Sequence, residues 1–359
     1  MKEPKTEVRP SLPSKRVTLR VVARAAEVSA MTVSNFMNGR FQTMSEETRA
    51  RLEKTVSRLN YRPHSSGRGL RTAAGLSIGM IVVDESPTFL ADPFITQVVA
   101  GLSNYLSQHS YAVVLQGVTA HEFRNSPLIR DQRTDGLCVM LSGHGAQRRA
   151  FLDILIGLHE PIVLFQERAP RSAADICAIR QDDRHGGWLL GRHVLDCGAR
   201  RLLFMLPTLA WAAILDRVKG IRQATAAVGG AKLEILDCGD GSFNGAGSIL
   251  AARLQEKGMP DAIMGGNDQL GITGLKVAVS LGQRVPEDVL VTGFNAFEFW
   301  QYTQPVLTTV QSPAYEMGAR GGAEIVQRLR SGTFSAREIV YPVELRISGS
   351  TACPADPAS

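Results

Sequence analysis

Residues 17–40 have the sequence VTLRVVARAAEVSAMTVSNFMNGR, and residues 45–60 follow as SEETRARLEKTVSRLN. Apolar residues recur three and four positions apart in both stretches, which indicates short amphipathic helices. Ser29 and Ser45 stand where N-cap residues belong, and Asn38-Gly39 ends the second helix. Three short helices, the first two joined by a tight turn, predict an all-α helix-turn-helix head over residues 16–61.

The positive charge of the chain is concentrated around this head. Residues 1–75 hold 15 Lys and Arg against 6 Asp and Glu, whereas the remaining 284 residues hold 25 against 28. This asymmetry favours a head that binds a polyanion, although a solvated basic face is the alternative. Residues 1–15 contain three Pro and no apolar periodicity, which predicts a disordered tail. Residues 62–76 contain Gly67 and Gly69 and are either a plain linker or a segment that folds against a partner.

The remainder of the chain alternates short apolar runs with amphipathic helical patterns. The runs predicted as strands are SIGMIVV (77–83), YAVVLQG (111–117), GLCVML (136–141), PIVLFQ (161–166), RLLFMLP (201–207), KLEILDC (232–238), DAIMGGN (261–267) and DVLVTGF (288–294). Such alternation predicts an α/β core of two doubly wound parallel-sheet subdomains over residues 77–350.

Several classes of protein lack support in the sequence. No apolar run approaches the length of a membrane span, and the charged N-terminus does not resemble a signal peptide, so we expect a cytoplasmic protein without a membrane partner. Five scattered cysteines without a CxxC pair predict neither a disulfide framework nor a metal site. There is no Walker A, GxSxG or HExxH motif, so no catalytic residues and no cofactor are predicted. The alternative left open is a cytoplasmic α/β enzyme with a DNA-binding appendage.

The second helix of the head has the pattern of a DNA-recognition helix. Its inward face is predicted to be Val33, Phe36 and Met37. The residues predicted to face outward are Ala30, Met31, Ser34 and Asn35. An Asn side chain binds adenine through two hydrogen bonds, and apolar side chains contact the thymine methyl group in the major groove. The residues predicted to contact phosphates are Thr32, Ser34 and Asn38.

The chain resembles the lactose-repressor/galactose-repressor (LacI/GalR) transcription factors. The resemblance is carried by residues 17–40, SEETRARLEKTVSRLNYRP (45–63), RGL (68–70), DPF (92–94), VPEDVLVTGF (285–294) and LTTV (307–310), all in family order, and it covers about residues 16–350. It implies a homodimeric, sequence-specific DNA-binding regulator, expected to be a repressor, that binds a pseudo-palindromic operator. It also implies a periplasmic-binding-protein-like core that holds a small carbohydrate-derived effector between two subdomains and thereby controls operator affinity.

The resemblance also implies boundaries and DNA contacts. The N-subdomain is expected at about 77–178 and 311–336, the C-subdomain at about 179–310 and 337–350, and a tail at 351–359. Residues 62–76 would form a hinge that folds on DNA, with Leu70 wedged into the minor groove. The full set of expected DNA-binding residues is Thr18, Leu19, Ser29, Ala30, Met31, Thr32, Ser34, Asn35, Asn38, Tyr61, His64, Gly67 and Leu70.

The expected effector-binding residues are Phe94, Gln166, Trp211, Arg217, Phe243, Asn267, Asp268 and Asn295. Arg217 matches the family's ligand-clamping arginine, while Gln166 and Asn295 stand where members often carry Asp. An arginine with fewer carboxylates around it favours an anionic effector such as a sugar acid or sugar phosphate. A neutral sugar remains open, since Asp92, Glu167 or Asp182 could restore negative charge.

The aromatic run GFNAFEFW (293–300) has a different expected role. Phe297, Phe299 and Trp300 are predicted to pack in the core or in the dimer interface, with the wall of the effector site as the alternative.

Overall fold

A computed structural model describes residues 19–37, 40–59, 76–130, 134–171, 173, 175–208 and 211–351. The chain divides into two compact units, residues 1–75 and 76–359. The predicted DNA-binding residues Thr18, Asn38, Tyr61, His64, Gly67 and Leu70 lie outside the described residues, as do the tail 1–15, residues 62–75 of the hinge and residues 352–359.

The first unit contains the predicted three-helix head. Its helices are α1 (Leu19–Ala25), α2 (Ala30–Met37) and α3 (Glu46–Arg58). Val22, Ala26, Val33 and Leu52 are fully buried at their centre. The Oγ of Ser29 accepts a hydrogen bond from the backbone N–H of Thr32 at 3.0 Å and caps α2, as predicted.

Ser45 caps α3 in the same way, because its Oγ accepts from the backbone N–H of Thr48 at 3.3 Å. Glu46 and Glu47 occupy the first turn of α3, where the helix dipole favours negative charge. Local capping and one shared apolar face therefore account for the head.

The second unit begins with a six-stranded parallel sheet in the order β11-β5-β4-β3-β1-β2. Its strands are β1 (Ser77–Val83), β2 (Ala112–Val118), β3 (Gly136–Leu141), β4 (Ile162–Phe165), β5 (Ile176–Gln181) and β11 (Glu338–Tyr341). The helices that connect or flank them are α4 (Pro93–Gln108), α5 (Pro127–Arg130), α6 (Gly145–Gly157) and α11 (Ala314–Ser331). The central strands are buried along nearly their whole length, as expected for a sheet covered on both faces.

A second parallel sheet has four strands in the order β7-β6-β8-β9. Its strands are β6 (Arg201–Leu206), β7 (Lys232–Asp237), β8 (Ala262–Gly265) and β9 (Leu290–Thr292). Its helices are α7 (Asp183–Asp196), α8 (Ala212–Ala226), α9 (Phe243–Lys257) and α10 (Asp268–Ser280). A separate antiparallel pair is formed by β10 (Thr309–Gln311) and β12 (Glu344–Arg346). The chain thus has the predicted core of two parallel sheets.

The chain crosses between the two sheets at positions that differ from the boundaries expected near residues 179 and 337. Strand β5 continues to Gln181, and β11 pairs with it in parallel, with Tyr341 opposite Gln181. Residues 338–341 therefore lie in the first sheet, although they were expected in the second subdomain. The four residues of β11 form a half-exposed edge strand, so they carry little of the apolar signal by which a strand is recognised in a sequence.

Helices α7 and α8 pack at the distance that only glycine permits. A Cβ atom on Gly220 would collide with the backbone carbonyl of Arg184, and one on Gly187 would collide with the carbonyl of Arg217. This contact fixes the position of α8 and therefore of the side chains that α8 carries.

The sequence also led to predictions about membrane spans and about the cysteines. Within the described ranges, no helix is long and apolar enough to cross a membrane. Cys138, Cys177 and Cys238 are buried free thiols, and burial raises the pKa of Cys238 to about 11. Cys197, by contrast, is disulfide-bonded, although the spacing of the cysteines predicted no disulfide framework.

Candidate functional site: a polar cleft in the core and an exposed helix in the head

The carboxyl ends of three adjacent strands place polar residues in a row. Asp84, Ser142 and Gln166 directly follow β1, β3 and β4, which are neighbours in the first sheet. Parallel strands end at the same edge of a sheet, and ligands of α/β proteins bind outside that edge. These three residues accordingly line one side of a cavity of about 810 Å³.

The second sheet supplies the opposite side of this cavity, which we call the cleft. Thr208, Asp240, Asn267 and Asn295 follow strands β6, β7, β8 and β9 within three residues, and all four line the cleft. The carboxyl edges of both sheets therefore face one site. Its volume lies within the range of small-molecule sites in proteins.

Arg217 on α8 is buried at the base of the cleft with all its nitrogens engaged. Its Nε donates to Asp183 Oδ1 at 2.8 Å, and both side chains are only 4% exposed. Its terminal nitrogens donate to the backbone carbonyl of Gly266 at 2.5 Å and to Asn295 Oδ1 at 3.3 Å. The guanidinium lies 3.6 Å above the ring centroid of Phe294. The charge of Arg217 is thus compensated within the protein.

Asp183 is held by a second donor. Gln181 Nε2 donates to the same Oδ1 atom at 2.8 Å, and Gln181 Oε1 accepts from the Ser312 hydroxyl at 2.5 Å. Burial raises the pKa of Asp183, while the guanidinium of Arg217 opposes that change. The expectation of an anionic effector depended on an uncompensated Arg217, and the ion pair with Asp183 removes that basis.

The cleft is rich in carboxylates, of which the sequence analysis named only Asp92; Glu167 and Asp182, named with it, do not line the cleft. The acidic residues lining it are Asp84, Glu85, Asp92 and Asp240. Asp92 caps α4, because its Oδ1 accepts from the backbone N–H of Phe94 at 2.8 Å. Burial raises the pKa of Asp84 and of Asp92, and the neighbouring charge of Asp84 raises the pKa of Asp92 further. Of the described residues that line the cleft, Arg217 alone carries a positive charge.

Six of the eight expected effector residues are brought together in the cleft, namely Phe94, Gln166, Trp211, Arg217, Asn267 and Asn295. Gln166 adopts the left-handed region with φ of 58°, and its Oε1 accepts from the backbone N–H of Gln181 at 3.1 Å. Asn267 also caps α10, because its Oδ1 accepts from the N–H of Leu270 at 2.9 Å. Asn267 therefore caps a helix and lines the cleft at the same time.

Asp268 and Phe243 lie outside the lining of the cleft. Asp268 Oδ1 accepts from the Thr309 hydroxyl at 2.6 Å, and its Oδ2 accepts from the backbone N–H of Phe297 at 3.2 Å. Burial raises the pKa of Asp268 to about 6. Phe243 instead lies against the ammonium group of Lys276, 4.6 Å from its ring centroid. Both residues begin helices. The side chain of Asp268 bonds to Thr309 and to the backbone of Phe297, and that of Phe243 contacts Lys276 on α10.

The residues that sequence reasoning missed share one signal. Asp84, Ser142, Thr208 and Asp240 each come within three residues of the end of a predicted strand. That position could have identified them before the order of the strands was known. In the described part of the chain, no group of three or more His, Cys, Asp or Glu side chains could hold a metal ion.

The head presents the predicted surface on α2. Met31 is 69% exposed and Ala30 is exposed, whereas Val33 is fully buried on the opposite face. Thr32, Ser34 and Asn35 are partly exposed. Ser29 is exposed but acts as the helix cap, and Leu19 is half-buried against the core of the head.

The unit that carries α2 also exposes many basic side chains. The exposed ones are Arg20, Arg24, Arg40, Arg49, Arg51, Lys54 and Arg58. A basic surface next to an exposed helix of a helix-turn-helix unit is the arrangement that DNA-binding heads use.

Comparisons with known proteins agree with both units. Residues 18–64 match the family described as bacterial regulatory proteins, lacI family, and residues 192–351 match the periplasmic binding protein-like domain. The chain is 25% identical over 331 residues to the ribose operon repressor of Haemophilus influenzae, covering 90% of this chain and 95% of the relative. It is 26% identical over 320 residues to the HTH-type transcriptional repressor PurR of Vibrio atlanticus, covering 87% and 92%.

A solved structure of the same architecture is the lac repressor dimer bound to operator and the anti-inducer ONPF. It superposes with a TM-score of 0.74 at 22% identity and covers 94% of this chain and 99% of that one. The head and the two-sheet core thus define a DNA-binding transcriptional regulator with a periplasmic-binding-protein-like core. The head thus matches the LacI family of bacterial regulators, and the chain is similar along most of its length to repressors at 25–26% identity.

Proposed function

We propose that this protein is a repressor that binds a pseudo-palindromic operator as a homodimer and changes its operator affinity when a small carbohydrate-derived effector occupies the cleft. The observation that supports this most directly is the combination, in one chain, of an exposed α2 on a basic head and a polar cleft of about 810 Å³. Its role is therefore regulation and not catalysis, and its place of action is the cytoplasm.

The proposed DNA contacts follow from the exposure of α2. Ala30, Met31 and Asn35 reach base edges in the major groove, while Thr32 and Ser34 contact phosphates. The remaining proposed contacts are Thr18, Leu19, Ser29, Asn38, Tyr61, His64, Gly67 and Leu70. The exposed basic residues of the head supply affinity that depends on salt rather than on sequence.

The two sheets suggest the subdomains that move when the effector binds. We propose one subdomain of residues 77–181 with 313–341 and a second of residues 183–311 with 343–351. The effector contacts Phe94 and Gln166 in the first subdomain and Arg217, Asn267 and Asn295 in the second. Such a ligand changes operator affinity because it binds the open and the closed form of the cleft with different affinities. The resulting coupling free energy between effector and operator is typically about 1–3 kcal/mol.

The proposed dimer surface lies on exposed apolar side chains of the second sheet's helices and loops. Phe299 and Tyr302 are 60% and 76% exposed, and Val279 and Leu281 are also exposed. By contrast, Trp300 packs against the cluster of Leu275, Val291 and Leu307, and Phe297 lies 6.3 Å from Phe94 between ring centroids. Sedimentation of the purified protein should give a dimer, and Phe299→Asp should give monomers.

Selection of operator DNA tests the proposal. The purified protein is incubated with a randomised DNA pool at two salt concentrations, and the retained fraction is sequenced. We expect enrichment of a pseudo-palindrome, and Asn35→Ala should relax the preference at one base pair of each half-site. Arg51→Ala is the matched control, and it should weaken binding to all sequences alike. Salt-dependent retention without any enriched site would refute the proposed sequence-specific regulation.

A further inference from the structure

We propose that the effector is an amino sugar, a polyhydroxylated ring that carries a protonated amine, and that Asp84 and Asp92 hold the amine. This inference rests on the proposed function of the cleft as the effector site. It narrows the ligand from a carbohydrate of any charge to one that is cationic.

The charge of the cleft is the first observation. Four carboxylates line it, and the described lining includes a single cation, Arg217, whose charge is compensated by Asp183. An anionic ligand would meet four negative groups without a free positive partner. A neutral sugar would leave their charge in place, whereas a cation would offset it.

The free carboxylate oxygens are the second observation. Asp84 Oδ1 accepts from the backbone N–H of Ser86 at 2.8 Å, and Asp92 Oδ1 accepts from that of Phe94 at 2.8 Å. The backbone N–H of Ile95 also hydrogen-bonds the Asp92 carboxylate, but no side chain among the described residues donates to Asp84 or Asp92, so both carboxylates can accept from a ligand. Glu85 also lines the cleft, but its Oε1 is engaged, because it accepts from the backbone N–H of Ala120 at 3.0 Å.

Mutual repulsion between these carboxylates is relieved by a cation. Asp84 and Asp92 both line the cleft, and the charge of Asp84 raises the pKa of Asp92. Burial raises the pKa of both carboxyls and makes their charged forms costly while no ligand is bound. An ammonium group between them supplies the charge-assisted hydrogen bonds that carboxylates accept most strongly.

A buried hydroxyl without a partner points to the remainder of the ligand. Ser142 is 6% exposed and lines the cleft, and its Oγ has no hydrogen-bond partner among the described residues. Gln166 is also buried and lines the cleft, and within the described chain its Nε2 donates to no acceptor. Both groups line the cleft without a protein partner, so the hydroxyls of a sugar ring can hydrogen-bond to them.

Aromatic side chains complete the site. Phe89, Phe94 and Trp211 line the cleft beside Asp84 and Asp92. Aromatic faces attract ammonium groups and pack against the apolar faces of sugar rings. The carboxylates, the hydrogen-bonding side chains and the aromatic rings of the cleft therefore all suit a ligand with one ammonium group and several hydroxyls.

Calorimetry with matched ligands on the full-length protein tests the inference. The pairs are glucosamine with glucose, galactosamine with galactose, and the β-1,4-linked glucosamine disaccharide with cellobiose. We expect the amine of at least one pair to bind tenfold or more tightly than its neutral partner. N-acetylglucosamine, which keeps the shape but lacks the charge, should lose the preference shown by glucosamine, and glucuronate should bind most weakly.

Variants locate the amine. Asp84→Asn and Asp92→Asn should each reduce the amine preference at least fivefold and change the affinity for the neutral sugar less than twofold. Asp153→Asn is the control, because Asp153 is an exposed carboxylate on α6 outside the cleft. A melting temperature for each variant verifies that it folds.

The outcomes separate this inference from the function on which it rests. If neutral sugars bind as tightly as the amines, or glucuronate binds more tightly, the inference is wrong and the carbohydrate effector stands. If none of these sugars binds, both the amino sugar and the carbohydrate effector are overturned. If amines are preferred but Asp84→Asn and Asp92→Asn leave the preference unchanged, the assignment to these carboxylates is wrong.

Discussion

Arg217 Nε donates to Asp183 Oδ1 across 2.8 Å at the base of the cleft, and 34 residues separate the two along the chain. The pair joins the first turn of α7 to α8 and borders a site with four further carboxylates. Because Asp183 compensates Arg217, the net charge of the site is set by the four carboxylates that line it. The family resemblance identified the arginine but not the residue that neutralises it.

Breaking this pair should destabilise the core strongly. Asp183→Leu and Arg217→Met each leave one charge buried without its partner, which costs about 3–5 kcal/mol in the free energy of unfolding. The double variant should lose less than the sum of the two single losses, measured by urea unfolding. The exposed pair Arg192–Asp196 is the control, and Asp196→Ala should cost less than about 1 kcal/mol. Additive losses at Asp183 and Arg217 would contradict the coupling.

The close approach of α7 and α8 should be intolerant of a single methyl group. Gly220→Ala would drive a Cβ against the carbonyl of Arg184 and push α8, with Arg217, out of place. We expect a loss of roughly 1–3 kcal/mol in the free energy of unfolding, as for overpacked sites, together with weaker effector binding. Gly229→Ala is the matched control, because no atom lies within 4 Å of its added Cβ. A Gly220→Ala variant as stable as Gly229→Ala would refute this account.

Asp268 should make part of the stability depend on pH. Burial raises its pKa from 3.8 to about 6, so the folded state holds the proton more tightly than the unfolded chain does. Its contribution to stability is fully present below about pH 4 and is lost as pH rises through about 6. As pH rises from 4 to 7, the free energy of unfolding of Asp268→Asn should increase relative to that of the natural chain by at most about 3 kcal/mol, measured by urea unfolding.

The control for that measurement is a carboxyl with the opposite shift. Hydrogen bonds from Arg284 lower the pKa of Asp288 to about 2. The free energy of unfolding of Asp288→Asn should therefore not increase relative to that of the natural chain as pH rises from 4 to 7. A difference between Asp268→Asn and the natural protein that stays constant over this range would show that Asp268 titrates normally.

Ser142 should matter for the ligand and not for the fold. Its Oγ has no described partner, so Ser142→Ala removes no hydrogen bond and should change the melting temperature little. Effector affinity should decrease about twofold to twelvefold, the usual contribution of one hydrogen bond. Ser126→Ala is the contrasting variant, because its hydroxyl donates to Gln116 Oε1 at 2.7 Å and its loss should lower stability. Unchanged affinity of Ser142→Ala would exclude the hydroxyl from the site.

Local patterns were sufficient to predict the head and most strands. The caps at Ser29 and Ser45 and the apolar spacing of the three helices act within a few residues, so they are visible in the chain itself. The central strands were equally visible, because strands buried on both faces are continuous apolar runs. Strand β11 escaped because it is short, half-exposed and at an edge.

The chemistry of the cleft depended on contacts between distant parts of the chain. Asp84, Ser142 and Gln166 lie side by side because β2 lies at the outer side of β1 and leaves β1, β3 and β4 as neighbours in the sheet. Likewise, Asp183 reaches Arg217 because glycines bring α7 and α8 together, and Asp268 turns to Thr309 instead of the cleft. Residue types and local periodicity therefore identify the elements and the family. Long-range packing decides which charges meet, and hence which ligand the site favours.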